Sequence, residues 1–186
     1  MNRQIRYKAF AFLIATTSAF AVATAHAQGQ FVNWERIEGI DPNPTGGQVF
    51  ADINPVTFPW SSAGGRARLN TANGRLDFEV RGLAIGASPT PLAVIGTTGA
   101  VTEVRGTILC NATGEYVDSD PVELWTSGDA SFHGSLPYLI TCNDESWVFL
   151  LRVAGVVPGA PPITGRWLAY GAAKNHRPVM RHPGEY

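Results

Sequence analysis

The sequence predicts an all-β fold: an antiparallel β-sandwich of immunoglobulin-like type with seven to nine strands, a closed β-barrel being the alternative. Three observations predict it. No window of 12 or more residues keeps apolar side chains at helical spacing without an interrupting Gly or Pro. Short runs of five to eight residues alternate apolar and polar with period two, and turn clusters separate them. The chain carries 20 Gly and 13 Pro for its turns, yet apolar residues still make up 45% of it, which suits a packed core and not a disordered chain.

Arg3, Arg6 and Lys8 precede an uncharged, Ala/Phe-rich run from Ala9 to Ala25 that closes on Ala25-His26-Ala27. A basic start, an apolar middle and a small-X-small end are what signal peptidase reads, so residues 1–27 are expected to be a cleaved secretory signal. The product is then secreted or periplasmic. Cleavage leaves 159 residues, a comfortable size for one domain, with 11 basic against 15 acidic side chains, a net charge of −4. Binding to nucleic acid by bulk charge is excluded on that balance, because tracking phosphates takes a concentrated basic stripe. No later segment is long and apolar enough to span a bilayer, so no stable membrane insertion is expected after signal cleavage. The sandwich is expected over residues 28–173. The remainder, "KNHRPVMRHPGEY" over 174–186, reads as a mobile tail punctuated by Pro178, Pro183 and Gly184.

Along the sandwich, "FVNWERI" and "QVFADI" are weaker strands around a "DPNPTGG" loop. The clearest unit is "RARLNTANGRLDFEVRGL". Asn73-Gly74 is a two-residue hairpin signal, since both central positions of a type I′ turn need positive φ. Beyond it, Leu76, Phe78 and Val80 point one way while Arg75, Asp77, Glu79 and Arg81 point the other. "VTEVRGTILC" and "SWVFLLRVAG" are more uniformly apolar and suit central strands. In "PVELWTSGDASFHGSL" a second hairpin is expected, with Val122 and Leu124 inward, a turn at Ser127-Gly128-Asp129, and Ala130, Phe132 and Gly134 resuming the inward register. "GRWLAYGA" reads as a closing strand. There is no internal repeat and no interdomain linker.

The chain has two cysteines, Cys110 and Cys142. Export would place both where disulfides persist, so they are expected to pair. Without a CxxC or HxxxH pattern, metal ligation has little support, and a catalytic thiol would have to compete with the second cysteine. Asn111-Ala112-Thr113 matches a glycan acceptor pattern but is read as a loop.

Asp129, Ser131 and His133 supply the residue types of a hydrolase triad, but at alternate positions of one strand they sit roughly 6.5–7 Å apart, beyond proton-transfer reach. Asp77 and Glu79 have the spacing of paired glycosidase carboxylates, yet flanking Arg75 and Arg81 would lower both pKa values where a general acid needs one raised. Asp118 and Asp120 in "YVDSDP" read as solvated turn acids, too few for calcium. No catalytic residue, metal or cofactor is therefore assigned. Among five tryptophans, Trp147 and Trp167 suit a core. Trp125, which shares the outward parity of Glu123, and Trp60, in the loop-like "FPWSSAGG", are the candidate ligand-binding residues.

The succession "LDFEVRGL", "VRGTILCN", "DPVEL", "GDASFHGSL", a second Cys, "VFLLRVA" and "GRWLA" resembles small exported bacterial proteins of unassigned function, over roughly residues 65 to 170. That resemblance implies an envelope or secreted location and a compact β fold, and carries over no catalytic residue. The expected function is an exported, non-enzymatic binding or envelope-associated module with a protein or glycan partner. The alternatives are a carbohydrate-active or other hydrolytic enzyme, and a secreted protein inhibitor acting through the stiff "GVVPGAPPITG" loop.

Overall fold

The structure, a computed structural model, describes residues 31–40, 50–86, 92–142 and 146–172. The expected signal segment and C-terminal tail lie outside them. Two antiparallel sheets face one another. The first orders its strands β1 (Phe31–Trp34), β4 (Gly64–Asn70), β5 (Arg75–Arg81) and β10 (Ala130–Ser135). The second runs β2 (Arg36–Gly39), β12 (Trp167–Ala172), β11 (Trp147–Val156), β7 (Val101–Cys110) and β8 (Tyr116–Asp118), with β9 (Val122–Glu123) also paired to β7. A two-residue pair, β3 (Trp60–Ser61) with β6 (Ala84–Ile85), adds a third small sheet. Among the described residues eight strands have four residues or more, and no sheet closes into a barrel.

The pairing of the long strands is that of an immunoglobulin core. An immunoglobulin domain divides its strands ABED and CFG, pairing B with E and C with F. Here β5 pairs β10, and β7 pairs β11 flanked by β12, with the chain crossing between sheets after β5, β9 and β10. The "FVNWERI" run belongs to both layers: β1 joins the first sheet, and two residues later β2 joins the second beside β12.

Alternation builds the interior. Leu76, Phe78 and Val80 are fully buried, and the Phe78 ring stacks 5.8 Å from Phe132 and tilts 5.5 Å from Phe149 of the opposite sheet. Trp34 adds a contact to Phe149 at 5.8 Å. Such aromatic contacts contribute about 0.5–1.5 kcal/mol each beyond the area they bury. Room for these rings comes from Gly106, where a Cβ would lie 2.8 Å from Phe78 Cε1 and 3.0 Å from Phe149 Cε2.

Four expectations are corrected. The β4–β5 turn spans four residues, Thr71–Gly74, closed by Gly74 N–H to Asn70 O at 2.9 Å, and only Gly74 of the Asn-Gly pair has positive φ (72°). Asn73 instead uses its side chain, Oδ1 accepting from Arg75 N–H at 3.0 Å. "PVELWTSGDASFHGSL" is a crossover and not a hairpin: β9 pairs with β7 and β10 with β5, because Val122 and Phe132 fill different layers. In "QVFADI" the described part, Phe50 to Ile53, is a two-residue turn with Ala51 and Asp52 at φ 41° and 65°. Trp60 is 5% exposed: β3 pairs β6, and Trp60 N–H donates to Ile40 O at 2.7 Å.

Cys110 and Cys142 form the expected disulfide, with Cα atoms 5.5 Å apart. It ties the end of β7 to the β10–β11 connection. No helix among the described residues is long and apolar enough to cross a membrane.

Candidate functional site

The outer face of the first sheet follows directly from register. Arg68 of β4 pairs Asp77 of β5, which pairs His133 of β10; Arg66, Glu79 and Ser131 make the neighbouring rung. Odd positions of β5 and β10 all point outward, so polar side chains from three strands share one surface. His133 Nδ1 lies 3.0 Å from Asp77 Oδ1, and Arg75 Nε lies 3.3 Å from Asp77 Oδ2. Glu79 is bracketed by Arg81 Nε at 3.1 Å and Arg66 Nη2 at 3.4 Å. Arg68 lies over the Phe31 ring at 3.7 Å from its centre.

At the β10 margin of this face opens a groove of about 440 Å³ lined by Glu79, Arg81, Trp125, Ser127, Asp129, Ser131 and His133. Trp125 is 62% exposed, as its outward parity required. Its backbone is fixed: Trp125 N–H donates to Asp129 O at 3.0 Å and Gly128 N–H to Trp125 O at 2.7 Å, with Gly128 at φ 82°. Asp129 locks that loop to the end of β5, accepting from Gly82 N–H through Oδ1 and from the Ser127 hydroxyl through Oδ2, both at 2.9 Å. An exposed indole on a rigid loop presents its face without first having to be ordered.

Two carboxyls, Asp77 on the open sheet face and Asp129 in the groove, have shifted pKa values, and both move the same way. Burial raises Asp77, but hydrogen bonds with His133 and Arg75 and the Arg75 charge outweigh it, leaving it below the usual 3.8. The Gly82 amide and the Ser127 hydroxyl hold Asp129 below its ordinary value against a smaller opposing desolvation. Ionised, hydrogen-bonded carboxylates are good hydrogen-bond acceptors and poor general acids. The triad types stay apart as expected: Asp129 is engaged with Gly82 and Ser127, His133 with Asp77. Ser131 and Ser135 lie two residues to either side of His133, roughly 6.5–7 Å along the strand. No group of three or more His, Cys, Asp or Glu among the described residues could hold a metal ion.

A second arrangement escaped sequence reasoning. Asp118 is no solvated turn acid. It lies in β8, accepts from Arg152 Nη1 at 3.0 and 3.2 Å and from the Thr107 hydroxyl, and lies 3.5 Å from Arg105 Nη1. Arg105 and Arg152 are direct partners in the β7–β11 register, so the carboxylate neutralises a like-charge pair. Beside it, a cavity of about 350 Å³ is lined by Asp52, Asn54, Tyr116, Arg152, Thr164 and Arg166. The "GVVPGAPPITG" loop forms the β11–β12 turn and is held by its own backbone bonds, such as Arg166 N–H to Ile163 O at 3.1 Å.

No family model, curated protein or solved structure matches the chain.

Proposed function

We propose that this chain is an exported, non-enzymatic binding module that holds a glycan against Trp125. The single observation that carries the reading is a 62%-exposed indole on a hydrogen-bonded loop at the edge of a groove lined by ionic and hydroxyl side chains. A sugar ring offers an apolar C–H face and a rim of hydroxyls that both donate and accept. The indole matches the first; Glu79, Asp129, Ser131 and His133 match the second. The groove is open, and Asp77 and Asp129 shift in the same direction, whereas acid–base catalysis needs titrating groups driven apart. Export is supported by the leader pattern and is compatible with a Cys110–Cys142 disulfide, which an oxidising compartment preserves.

Screening the disulfide-bonded protein on a glycan array, followed by tryptophan-emission titration of the hits, tests it. Trp125→Ala is expected to weaken binding about 30-fold, the loss typical of a central aromatic anchor. An array without hits, or W125A binding as tightly as the parent, would overturn the reading.

A further inference from the structure

We propose that the β10 edge is a two-fold interface at which a second copy of this chain adds its own β10, joining the two first sheets into one. Among the described residues no strand pairs with the far edge of β10, the place an immunoglobulin domain gives to its strand D. The chain instead spends the preceding segment on β9, in the other sheet.

The phase of the backbone is fixed. Leu136 N–H donates to Gly74 O at 3.0 Å, in register with Gly134↔Leu76, Phe132↔Phe78 and Ala130↔Val80. Hydrogen-bonded and non-bonded pairs alternate along an antiparallel ladder, so these even positions turn their amides to β5. Ser131, His133 and Ser135 therefore turn N–H and C=O outward, toward no strand among the described residues. Natural edges are guarded by Lys, Pro, inward charges or bulges. "ASFHGS" has no Lys, Pro or carboxylate, and its pairing to β5 runs without a register shift.

The occupant is specified by the edge itself. Its outward-bonding residues read Ser, His, Ser in either direction. Two-fold antiparallel pairing about His133 sets Ser131 against Ser135 of the second copy and His133 against its equivalent, with about six N–H···O bonds and no acid facing an acid. The outer faces remain open. The two Trp125 grooves then lie head to tail on one continuous surface, making the assembly bivalent. The pairing itself stands apart from the glycan reading, because it uses backbone groups and not the indole.

Sedimentation analysis over a wide concentration range, with amide exchange on the same samples, tests it. The mass is expected to rise from one protomer to two, and the Ser131, His133 and Ser135 amides to exchange at least about tenfold more slowly in the dimer. Ser131→Pro and Ser135→Pro remove donors that β5 does not use, so each should stay folded by circular dichroism and lose the dimer. Ser131→Lys, which keeps the backbone amide, checks the result by adding an edge charge. A chain monomeric at every concentration, a dimer surviving both prolines, or an assembly growing past two copies would overturn the proposal. W125A should dimerise normally, and S135P, at a position outside the groove lining, should still bind sugar protomer by protomer, so the two readings fail separately.

Discussion

Asp77 of β5 and His133 of β10 meet across the open sheet face, Oδ1 to Nδ1, at 3.0 Å. Because the Asp77 carboxyl is lowered on folding, its contribution is present above its ordinary value of 3.8 and is lost as pH falls through the lowered one. Asp77→Asn is expected to cost under about 1 kcal/mol at pH 7, as exposed pairs do. The difference from the parent should close as the pH drops below about 4. Urea unfolding at several pH values measures it. A gap unchanged in acid would mean that packing, not charge, carries the effect.

Asp118→Asn removes the carboxylate between Arg105 and Arg152. The side chain of Arg152 is 11% exposed, so the loss leaves a nearly buried cation beside another cation. The expected cost is about 2–4 kcal/mol, near the values for breaking a buried ion pair. A drop in urea midpoint worth less than 1 kcal/mol would show that water or a neighbour replaces Asp118 without penalty.

Gly106→Ala should destabilise by about 1–3 kcal/mol through overpacking. The new methyl would press on Phe78 and Phe149, which line the same point from opposite sheets. Adding Phe78→Leu should recover part of the loss, since the two positions share one space. Strict additivity in thermal unfolding would argue against the contact.

Ala51→Gly is expected to stabilise by about 0.5 kcal/mol: Ala51 stands at φ 41°, where an L-residue is strained, and relief outweighs the freedom a glycine adds to the unfolded chain. Equal or lower stability by chemical denaturation would place the strain elsewhere.

Period-two patterning carried over well wherever one strand has a wet and a dry face. "RLDFEVR" alone placed Leu76, Phe78 and Val80 inside and set the carboxylates and arginines on a common surface. Trp125 was legible by the same parity. What stayed hidden depends on partners distant in sequence. Turn residues around Gly128 look alike whether the flanking strands pair or part, and only the completed layers send β9 and β10 to different sheets. Trp60 has loop-like neighbours yet is buried at the β3–β6 pair. Asp118 meets Arg152 from 34 residues away, a separation that no local motif records.

The disulfide has a mechanical consequence. It closes a loop of 32 residues that holds β8, β9 and β10, so tension applied at the chain ends passes through the sulfur bridge and bypasses those strands. Stretched in a force spectrometer, the oxidised molecule should release a contour shorter by roughly 110 Å than the reduced one, at about 3.5 Å per extended residue. The margin bearing β10 and the Trp125 groove would thus be shielded from direct load, as the proposed glycan grip would require while the rest of the chain is pulled.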